Sequence, residues 1–197
     1  MNKKVIIIEG YLASGKSTFA VRLSKALNIP YFVKDTFKTA LCAGVQITGR
    51  EESSRFSAIT FDAMMYTAER LFETGCPFIM EGNFAPRGVK KTDEAGVIKT
   101  LIEKYDYLAL NFKFRGDTRI LHKRFTEREK SPERGQANVM FTEISLTDFD
   151  KICHNLDNFN IGGKIIQIDT SDFETADFGK HMDTARSFLA ETGQRPV

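Results

Sequence analysis

The residues with the most specific chemistry lie near the start of the chain, where residues 10–17 read GYLASGKS. This segment satisfies every fixed position of the phosphate-binding pattern G-x-x-x-x-G-K-[ST]. In that pattern backbone N–H groups surround an anion, the lysine neutralises β- and γ-phosphate oxygens, and the following hydroxyl ligates Mg²⁺. We therefore assign Lys16 to catalysis and Ser17 to the metal, and expect a nucleoside triphosphate as ligand. The residues expected to contact the nucleotide here are Gly10, Ala13, Ser14, Gly15, Lys16, Ser17 and Thr18.

The sequence on either side of this loop supports the assignment. Residues 5–8 form a short β-branched run that is typical of a buried parallel strand. After the loop, apolar side chains recur at helical spacing until Asn28 and Pro30 end the pattern. A strand, a glycine loop and a helix in this order place a helix N-terminus at the anion.

The remaining pattern predicts an α/β domain. Four more strands are expected at residues 30–34, 77–81, 107–114 and 164–168, and segments with helical periodicity separate them. This alternation predicts a parallel sheet covered on both faces, which is a three-layer sandwich. We interpret residues 1–197 as one domain. Since ligands bind beyond the carboxyl ends of such strands, functional residues are expected directly after each one.

Asp35 follows the second predicted strand. A carboxylate at that position can accept the proton of an attacking hydroxyl, so we assign Asp35 to catalysis and to substrate binding. The alternative is that Asp35 or Thr36 caps the next short helix. Lys38 lies one turn further on, where it is either a ligand for an anionic substrate group or a solvated surface lysine.

Glu81 ends the third predicted strand. An acidic residue at that position of a phosphate-loop protein holds magnesium, usually through water, and we assign Glu81 to the metal. Alternatively, Glu81 is a second carboxylate for the substrate hydroxyl. The nearby Asn83 and Arg87 are candidates for substrate binding, as an amide and as a cation that faces an anionic group.

Residues 113–134 form the most charged stretch of the chain, with eight Lys or Arg residues against four Asp or Glu residues. Arg124 and Arg128 are four residues apart and share one face of a predicted helix. Leu121 and Phe125 would cover the core side of that helix. We expect arginines of this segment to reach over the phosphates.

We interpret residues 115–140 as a helical lid that closes over the phosphates and excludes water. Gly116 at one end and the pair Ser131 and Pro132 at the other would let the arginines swing as a unit. The alternative is a solvated basic helix or a small anion-binding patch. After the fifth strand, the turn at residues 169–172 either borders the adenine ring or caps the last helix.

Composition restricts the partners and the location that we expect. A net charge of +2 is close to neutral and predicts neither nucleic-acid nor anionic-membrane binding. The apolar run at residues 5–8 is shorter than a secretion signal core of about 7–15 residues. No stretch approaches the roughly 20 apolar residues that span a bilayer. We expect a cytoplasmic protein that is a monomer or a dimer.

These motifs together resemble the small-molecule kinases of the P-loop superfamily, which include shikimate kinase, gluconate kinase and chloramphenicol phosphotransferase. The resemblance is closest to a loosely defined AAA-type kinase group, whose pattern Leu-x-x-Arg-Phe-x-x-Arg is matched by residues 121–128, LHKRFTER. It implies ATP and Mg²⁺ as cofactors, a small-molecule phosphate acceptor, and a five-stranded sheet of order 2-3-1-4-5.

The same resemblance implies roles for individual residues. It gives Asp35 the contact with the substrate hydroxyl, stacks Arg124 on adenine, and brings Arg128 to the phosphates. In that group a further lid arginine is often followed by histidine, whereas here Arg134 is followed by Gly135.

Transfer of the γ-phosphate of ATP to a hydroxyl is the function that these observations favour. One alternative is a nucleoside-monophosphate kinase, which would need several arginines where the sequence offers chiefly Arg87. Another is a regulatory nucleotide-binding module that hydrolyses ATP slowly and acts through a partner. The lack of an Asn-Lys-x-Asp motif argues against a regulatory GTPase, and the lack of an Asp-Glu pair after a strand argues against a mechanical ATPase.

Overall fold

The computed structural model describes residues 3–131, 136–138 and 143–191. Strands and helices alternate along these ranges. In chain order the elements are β1 (Lys4–Gly10), α1 (Lys16–Leu27), β2 (Tyr31–Val33), α2 (Lys34–Leu41), α3 (Arg50–Thr74), β3 (Phe78–Glu81), α4 (Glu94–Lys104), β4 (Leu108–Arg115), α5 (Thr118–Glu129), a 3₁₀ turn (Gln136–Asn138), α6 (Leu146–His154), β5 (Lys164–Asp169) and α7 (Phe178–Ala190).

The five strands form one sheet in the order β2-β3-β1-β4-β5, and every neighbouring pair is parallel. The central strand β1 is buried along its whole length. Ile6 pairs with Ile79 of β3 on one side and with Leu110 of β4 on the other. The predicted α/β class and strand order are confirmed.

Helices cover both faces of this sheet. Because successive side chains of a strand point to opposite faces, alternate residues of β1 enter two different cores. Val5 and Ile7 pack with side chains of α3 and α4. Ile6 and Ile8 pack with side chains of α1 and α7. The predicted three-layer arrangement is therefore present.

A third apolar cluster joins the loop between β1 and α1 to α5 and α6. Its buried members are Tyr11, Leu121, Phe125, Phe149 and Cys153. One buried cluster thus connects α5, α6 and the phosphate loop, with Phe125 of α5 against Phe149 of α6. The predicted swing of the two arginines as a unit stays a prediction, and it would have to move α5 together with these buried side chains.

The predicted lid differs from the structure at its ends. Its first residue, Arg115, belongs to β4, and the basic helix is α5. The predicted break at Pro132, together with Arg134 and Gly135, lies outside the described residues. Within the described ranges, no helix has the length and the apolar character needed to cross a membrane.

Two element boundaries bear on the site. Asn28 adopts φ 52° and ends α1, as the sequence predicts. The second strand is shorter than predicted: it ends at Val33, and Lys34 already begins α2. Strand β2 pairs only with β3 at the sheet edge, so few ladder bonds compete with the helix for these residues.

Candidate active site

Two glycines shape the loop after β1. Gly10 has φ +136°, and a Cβ there would lie 2.0 Å from the carbonyl oxygen of Phe114 in β4. Gly15 has φ +84° and forms the N-terminal boundary of α1. Both positions therefore exclude other residues, for reasons of contact and of backbone conformation. Residues 10–15 fold back over the N-terminus of α1, as an anion-binding loop requires.

Lys16 is buried and its Nζ donates a hydrogen bond of 2.6 Å to the carbonyl oxygen of Tyr11. The hydroxyl of Ser14 donates to the same oxygen at 2.7 Å. Burial lowers the pKa of Lys16, and the charges of Glu81 and Asp35 oppose that effect. The ammonium group is thus held at the loop, beside carboxylates that favour its charged form.

Glu81 is the last residue of β3 and is buried. Its Oε2 accepts a hydrogen bond of 3.0 Å from the hydroxyl of Ser17. The pKa of Glu81 is raised to about 7, chiefly by burial and also by the charge of Asp35, against the opposing effects of Lys16 and Ser17. Burial and the charge of Asp35 therefore outweigh the interactions with Lys16 and Ser17 that favour the ionised carboxylate.

The oxygens of Ser17 and Glu81 fit a magnesium ion, since hard cations take oxygen ligands and a buried carboxylate gains from a nearby cation. Among the described residues, no three His, Cys, Asp or Glu side chains are grouped so that they could hold a metal by themselves. Magnesium bound here would take its remaining ligands from phosphate and water, as it commonly does in phosphate-loop proteins.

Asp35 lies in the first turn of α2 and is exposed. The helix boundary residue is Val33, and no side chain caps the helix, so the capping alternative for Asp35 and Thr36 is wrong. The charge of Asp35 acts on both Lys16 and Glu81. The structure thus brings Asp35 near the lysine and the glutamate, as the sequence predicts.

Arg124 connects α5 to the loop after β5. Its guanidinium group donates to the carbonyl oxygens of Thr170 and, at 2.8 Å, Ser171, and its Cζ lies 4.0 Å from the ring centre of Phe173. The alternative that residues 169–172 cap the last helix is wrong, because Asp177 caps α7.

Arg128 lies one turn further along α5. Its Cζ is 5.6 Å from the ring centre of Phe125. The positive charge of Arg128 lowers the pKa of both Lys16 and Glu81. Arg128 is therefore close enough to the phosphate loop to act on the same charges.

A cavity of about 560 Å³ lies between the phosphate loop and α5. Every predicted nucleotide contact except Gly10 lines it, and so do two residues that the sequence did not single out, Glu127 and Phe173. The lining residues are Ala13, Ser14, Gly15, Lys16, Ser17, Thr18, Arg124, Glu127, Arg128 and Phe173.

The three predicted substrate-binding residues besides Asp35 differ in their surroundings. Lys38 is buried and its Nζ donates to the hydroxyl of Ser53 at 2.7 Å, so the alternative of a solvated lysine is wrong. The Oδ1 atom of Asn83 is buried and has no hydrogen-bond partner among the described residues. Arg87 is exposed, and no ion pair of Arg87 occurs in the described ranges.

Lys34, the residue before Asp35, forms a buried ion pair with Glu94 that the sequence did not indicate. The Nζ of Lys34 lies 2.6 Å from Oε1 of Glu94, and the other oxygen of Glu94 accepts from the backbone N–H of Ala85 at 2.9 Å. Burial lowers the pKa of Lys34 to about 8, although Glu94 opposes the effect. The pair connects the start of α2 to the loop after β3 and to α4.

Comparison with known proteins identifies the fold. No protein-family model matches the sequence, and no curated protein matches it significantly. A presumed kinase from Chloroflexus aurantiacus J-10-fl superposes with a TM-score of 0.83 at 22% identity, covering 95% of this chain and 99% of that chain. This chain has the P-loop kinase fold.

Two solved kinases share the same architecture at lower similarity. Shikimate kinase from Bacteroides thetaiotaomicron gives a TM-score of 0.60 at 14% identity, with 95% of this chain and 99% of that chain covered. A gluconokinase from Sinorhizobium meliloti 1021 gives 0.55 at 14% identity, with 95% and 92% covered. In this P-loop kinase fold, β1, β2 and β3 end at one edge of the sheet, which explains why residues distant in sequence meet there.

Proposed function

We propose that this chain transfers the γ-phosphoryl group of ATP to a hydroxyl group of a small molecule. The proposal rests on one observation: Lys16, the Ser17–Glu81 pair and Asp35 lie together at one edge of the sheet. A site that only bound nucleotide would not need the exposed carboxylate of Asp35 beside the buried one of Glu81. The kinase architecture of the solved neighbours supports the same class of reaction.

Each residue contributes to the transfer in a way that its position allows. Lys16 and Arg128 supply positive charge to the phosphate oxygens, whose charge spreads over the transferred group in the transition state. Ser17 and Glu81 would hold Mg²⁺, which neutralises β- and γ-phosphate charge when it is bound. Arg124 lines the cavity beside Phe173, and we place the adenosine there. Asp35 accepts the proton of the acceptor hydroxyl as the oxygen attacks the γ-phosphorus.

The region of Asp35 and Asn83 is the acceptor side of the proposed site. We place the acceptor between Asp35 and Asn83, because the unpartnered Oδ1 of Asn83 can accept a hydrogen bond from a second hydroxyl. Lys38 is next to this region and lies one helical turn from Asp35. Arg87 would reach only an acceptor large enough to extend beyond Asn83.

Purified protein incubated with ATP, Mg²⁺ and a library of metabolites, nucleosides and hydroxylated drugs tests this proposal. We expect one chemical class of acceptor to stimulate ADP release, with the phosphate recovered on the acceptor. Lys16→Ala should abolish that transfer by removing the charge that stabilises the phosphates. Lys99→Ala, which changes an exposed lysine of α4, is the matched control and should keep full activity.

Three results would contradict the proposal. Normal transfer by folded Lys16→Ala would remove the phosphate loop from the reaction. Stimulation by nucleoside monophosphates alone would identify a nucleoside-monophosphate kinase. Slow hydrolysis that no acceptor stimulates, together with a stable protein partner, would identify a regulatory module.

A further inference from the structure

Tyr11 connects the phosphate loop to a group of polar residues on its far side. Its hydroxyl donates to Oδ1 of Asp157 at 2.9 Å and lies 3.0 Å from Nδ1 of His154. The same Nδ1 lies 2.8 Å from Oδ2 of Asp157. The guanidinium carbon of Arg115 is 4.8 Å from the centre of the tyrosine ring. The side chain is nearly buried, so this arrangement fixes it closely.

The backbone of Tyr11 holds the catalytic lysine. Its carbonyl oxygen accepts from Lys16 at 2.6 Å and from Ser14 at 2.7 Å, and its N–H donates to Phe114 of β4 at 2.9 Å. One residue therefore contacts Lys16 through its main chain and Asp157 through its side chain. A displacement of the side chain would be passed to the carbonyl that positions the ammonium group.

The polar residues around the side chain of Tyr11 form a chain in which acidic and basic groups alternate. Buried Glu9 pairs with Arg115 at 3.2 Å, and the Nε of Arg115 lies 3.1 Å from Oδ1 of Asp157. Asp157 in turn contacts His154, which ends α6. The group borders an open cavity of about 790 Å³ that Tyr11, Arg115, His154 and Asp157 help to line, so solvent protons reach the imidazole.

The surroundings of His154 favour its protonated form. Asp157 faces Nδ1, Asp150 of α6 lies 3.5 Å from Nε2, and Arg115 of β4 is the cation that opposes them. The hydrogen bond with Asp157 is the largest cause of a raised pKa for His154. The imidazole is also at the C-terminus of α6, where the helix dipole stabilises positive charge.

We propose that Tyr11 is a positioning residue that couples the protonation of His154 to nucleotide binding at the phosphate loop. The inference rests on the nucleotide site of the proposed function but not on phosphoryl transfer. Protonated His154 holds the Asp157 carboxylate where it accepts the tyrosine hydroxyl, and the fixed tyrosine presents its carbonyl to Lys16. Loss of the imidazole proton loosens Asp157, and Lys16 is then less well placed for the phosphates.

Coupling between two binding events is reciprocal, so a bound nucleotide must also strengthen proton binding at His154. The chain has three histidines, so the imidazole signals can be followed separately by nitrogen-15 NMR and assigned with His154→Gln. We expect Mg²⁺ with AMP-PNP, a nonhydrolysable ATP analogue, to raise the pKa of His154. In Tyr11→Phe that rise should be lost, and the analogue should bind about 2- to 12-fold more weakly, as for one lost hydrogen bond.

Tyr105→Phe is the matched control, because it removes a tyrosine hydroxyl that donates to the Glu69 carboxylate at 2.8 Å far from the loop. It should change neither the His154 pKa nor the affinity. An unchanged His154 pKa in the wild-type protein with bound analogue would overturn the inference and leave the proposed function intact. The same rise in Tyr11→Phe would also overturn it, because the phosphate charge would then act on the imidazole directly.

A second variant keeps the test decisive if Tyr11→Phe does not fold. The ratio of wild-type to His154→Gln affinity for Mg²⁺ with AMP-PNP should fall as pH rises through the imidazole range, about pH 5 to 8. A constant ratio would overturn the coupling. Failure of the wild-type protein to bind the analogue at all would overturn both this inference and the proposed function.

Discussion

Among single residues, Glu81 occupies an unfavourable electrostatic position. Its carboxylate is buried, its pKa is raised to about 7, and the Ser17 hydroxyl is the hydrogen-bond donor that it has. The ionised form that a metal requires is therefore costly without the metal. This cost is typical of a site whose charge is completed by a ligand.

In His154→Gln, which lacks the opposite pH dependence proposed above, binding of Mg²⁺ with AMP-PNP should consequently strengthen as pH rises through about 7, because protons compete with the metal for Glu81 below that value. The folded protein binds the extra proton between the usual pKa of 4.5 and about 7, so its free energy of unfolding should fall as pH rises through this window. Calorimetric titrations across this range measure the first effect, and thermal melting measures the second.

Glu81→Gln should weaken metal binding and remove both pH dependences, since the amide does not ionise. Above pH 7 the metal-free variant should melt at a higher temperature than the wild-type protein. Glu103→Gln changes an exposed glutamate of α4 and should behave as wild type. A lower melting temperature for Glu81→Gln would show that the carboxylate is satisfied in the free protein.

Asp35→Asn tests the assignment of the proton acceptor. We expect a loss of about 10²–10⁴ in the rate of phosphoryl transfer, with little change in ATP affinity. The melting temperature should also change little, because the Asp35 side chain does not cap α2. Asp62→Asn, on the exposed face of α3, is the control. Full turnover by Asp35→Asn would move the role to Glu81.

At the scale of secondary-structure elements, α5 is a fixed wall of the nucleotide cavity. Phe125 packs against Phe149 of α6 in the cluster that also includes Tyr11, and Arg124 attaches α5 to the loop after β5. Amide hydrogens of α5 are therefore expected to exchange slowly even without nucleotide.

The two arginines of α5 should have separable kinetic effects. Arg128→Ala should lower kcat more than it raises the KM for ATP, because Arg128 acts on charge that develops in the transition state. Arg124→Ala should mainly raise the KM, since it loses uniform binding and also frees the loop at Thr170. Steady-state kinetics of both variants, with exposed Arg119→Ala as the control, measure the difference. Equal effects on kcat and KM in the two variants would argue against separate roles.

The sequence predicted the elements with strong periodicity and missed those decided by distant contacts. Strand β1 and helix α1 were recognisable because an apolar run and a helical pattern flank an invariant loop motif. The boundary between β2 and α2 was misplaced, because a three-residue edge strand leaves almost no pattern. The helical pattern did not indicate that Phe149 of α6 packs against Phe125 on the apolar face of α5, and the closing motion of this segment stays a prediction.

In the site, too, the sequence predicted residues that follow a local pattern and missed residues that distant contacts place there. Lys16, Ser17, Glu81 and Asp35 follow strand ends, so topology alone predicts that they meet. The Lys34–Glu94 pair joins residues 60 positions apart, and each looks like an ordinary surface charge in the sequence. Phe173 was also missed, since a single aromatic residue after a turn has no pattern that indicates a cavity wall.

At the scale of the whole molecule, the Lys34–Glu94 pair holds the two segments that carry Asp35 and Asn83. Removing Lys34 leaves the buried Glu94 carboxylate with the half-exposed Lys90 at 3.3 Å, so Lys34→Met should lower the free energy of unfolding by about 3 kcal/mol, the lower end of the cost of breaking a buried pair. Lys104→Met, which breaks an exposed lysine–glutamate pair of 2.8 Å, should cost much less, because solvent screens that pair. Urea denaturation compares them, and a second change, Glu94→Leu, should restore most of the loss in Lys34→Met. A similar small loss in both single variants would show that solvent reaches Lys34.

The position of β1 at the centre of the sheet also has a consequence for protein synthesis. The first strand pairs with residues 78–81 and 108–114, which the ribosome adds much later. Gly10 approaches Phe114 closely, and Tyr11 bonds to it, so the loop can adopt this shape only after β4 has been made. A nascent chain that ends before β4 therefore contains every residue of the phosphate loop without the strand that shapes it, so a bound nucleotide should stabilise only chains in which β4 has been made.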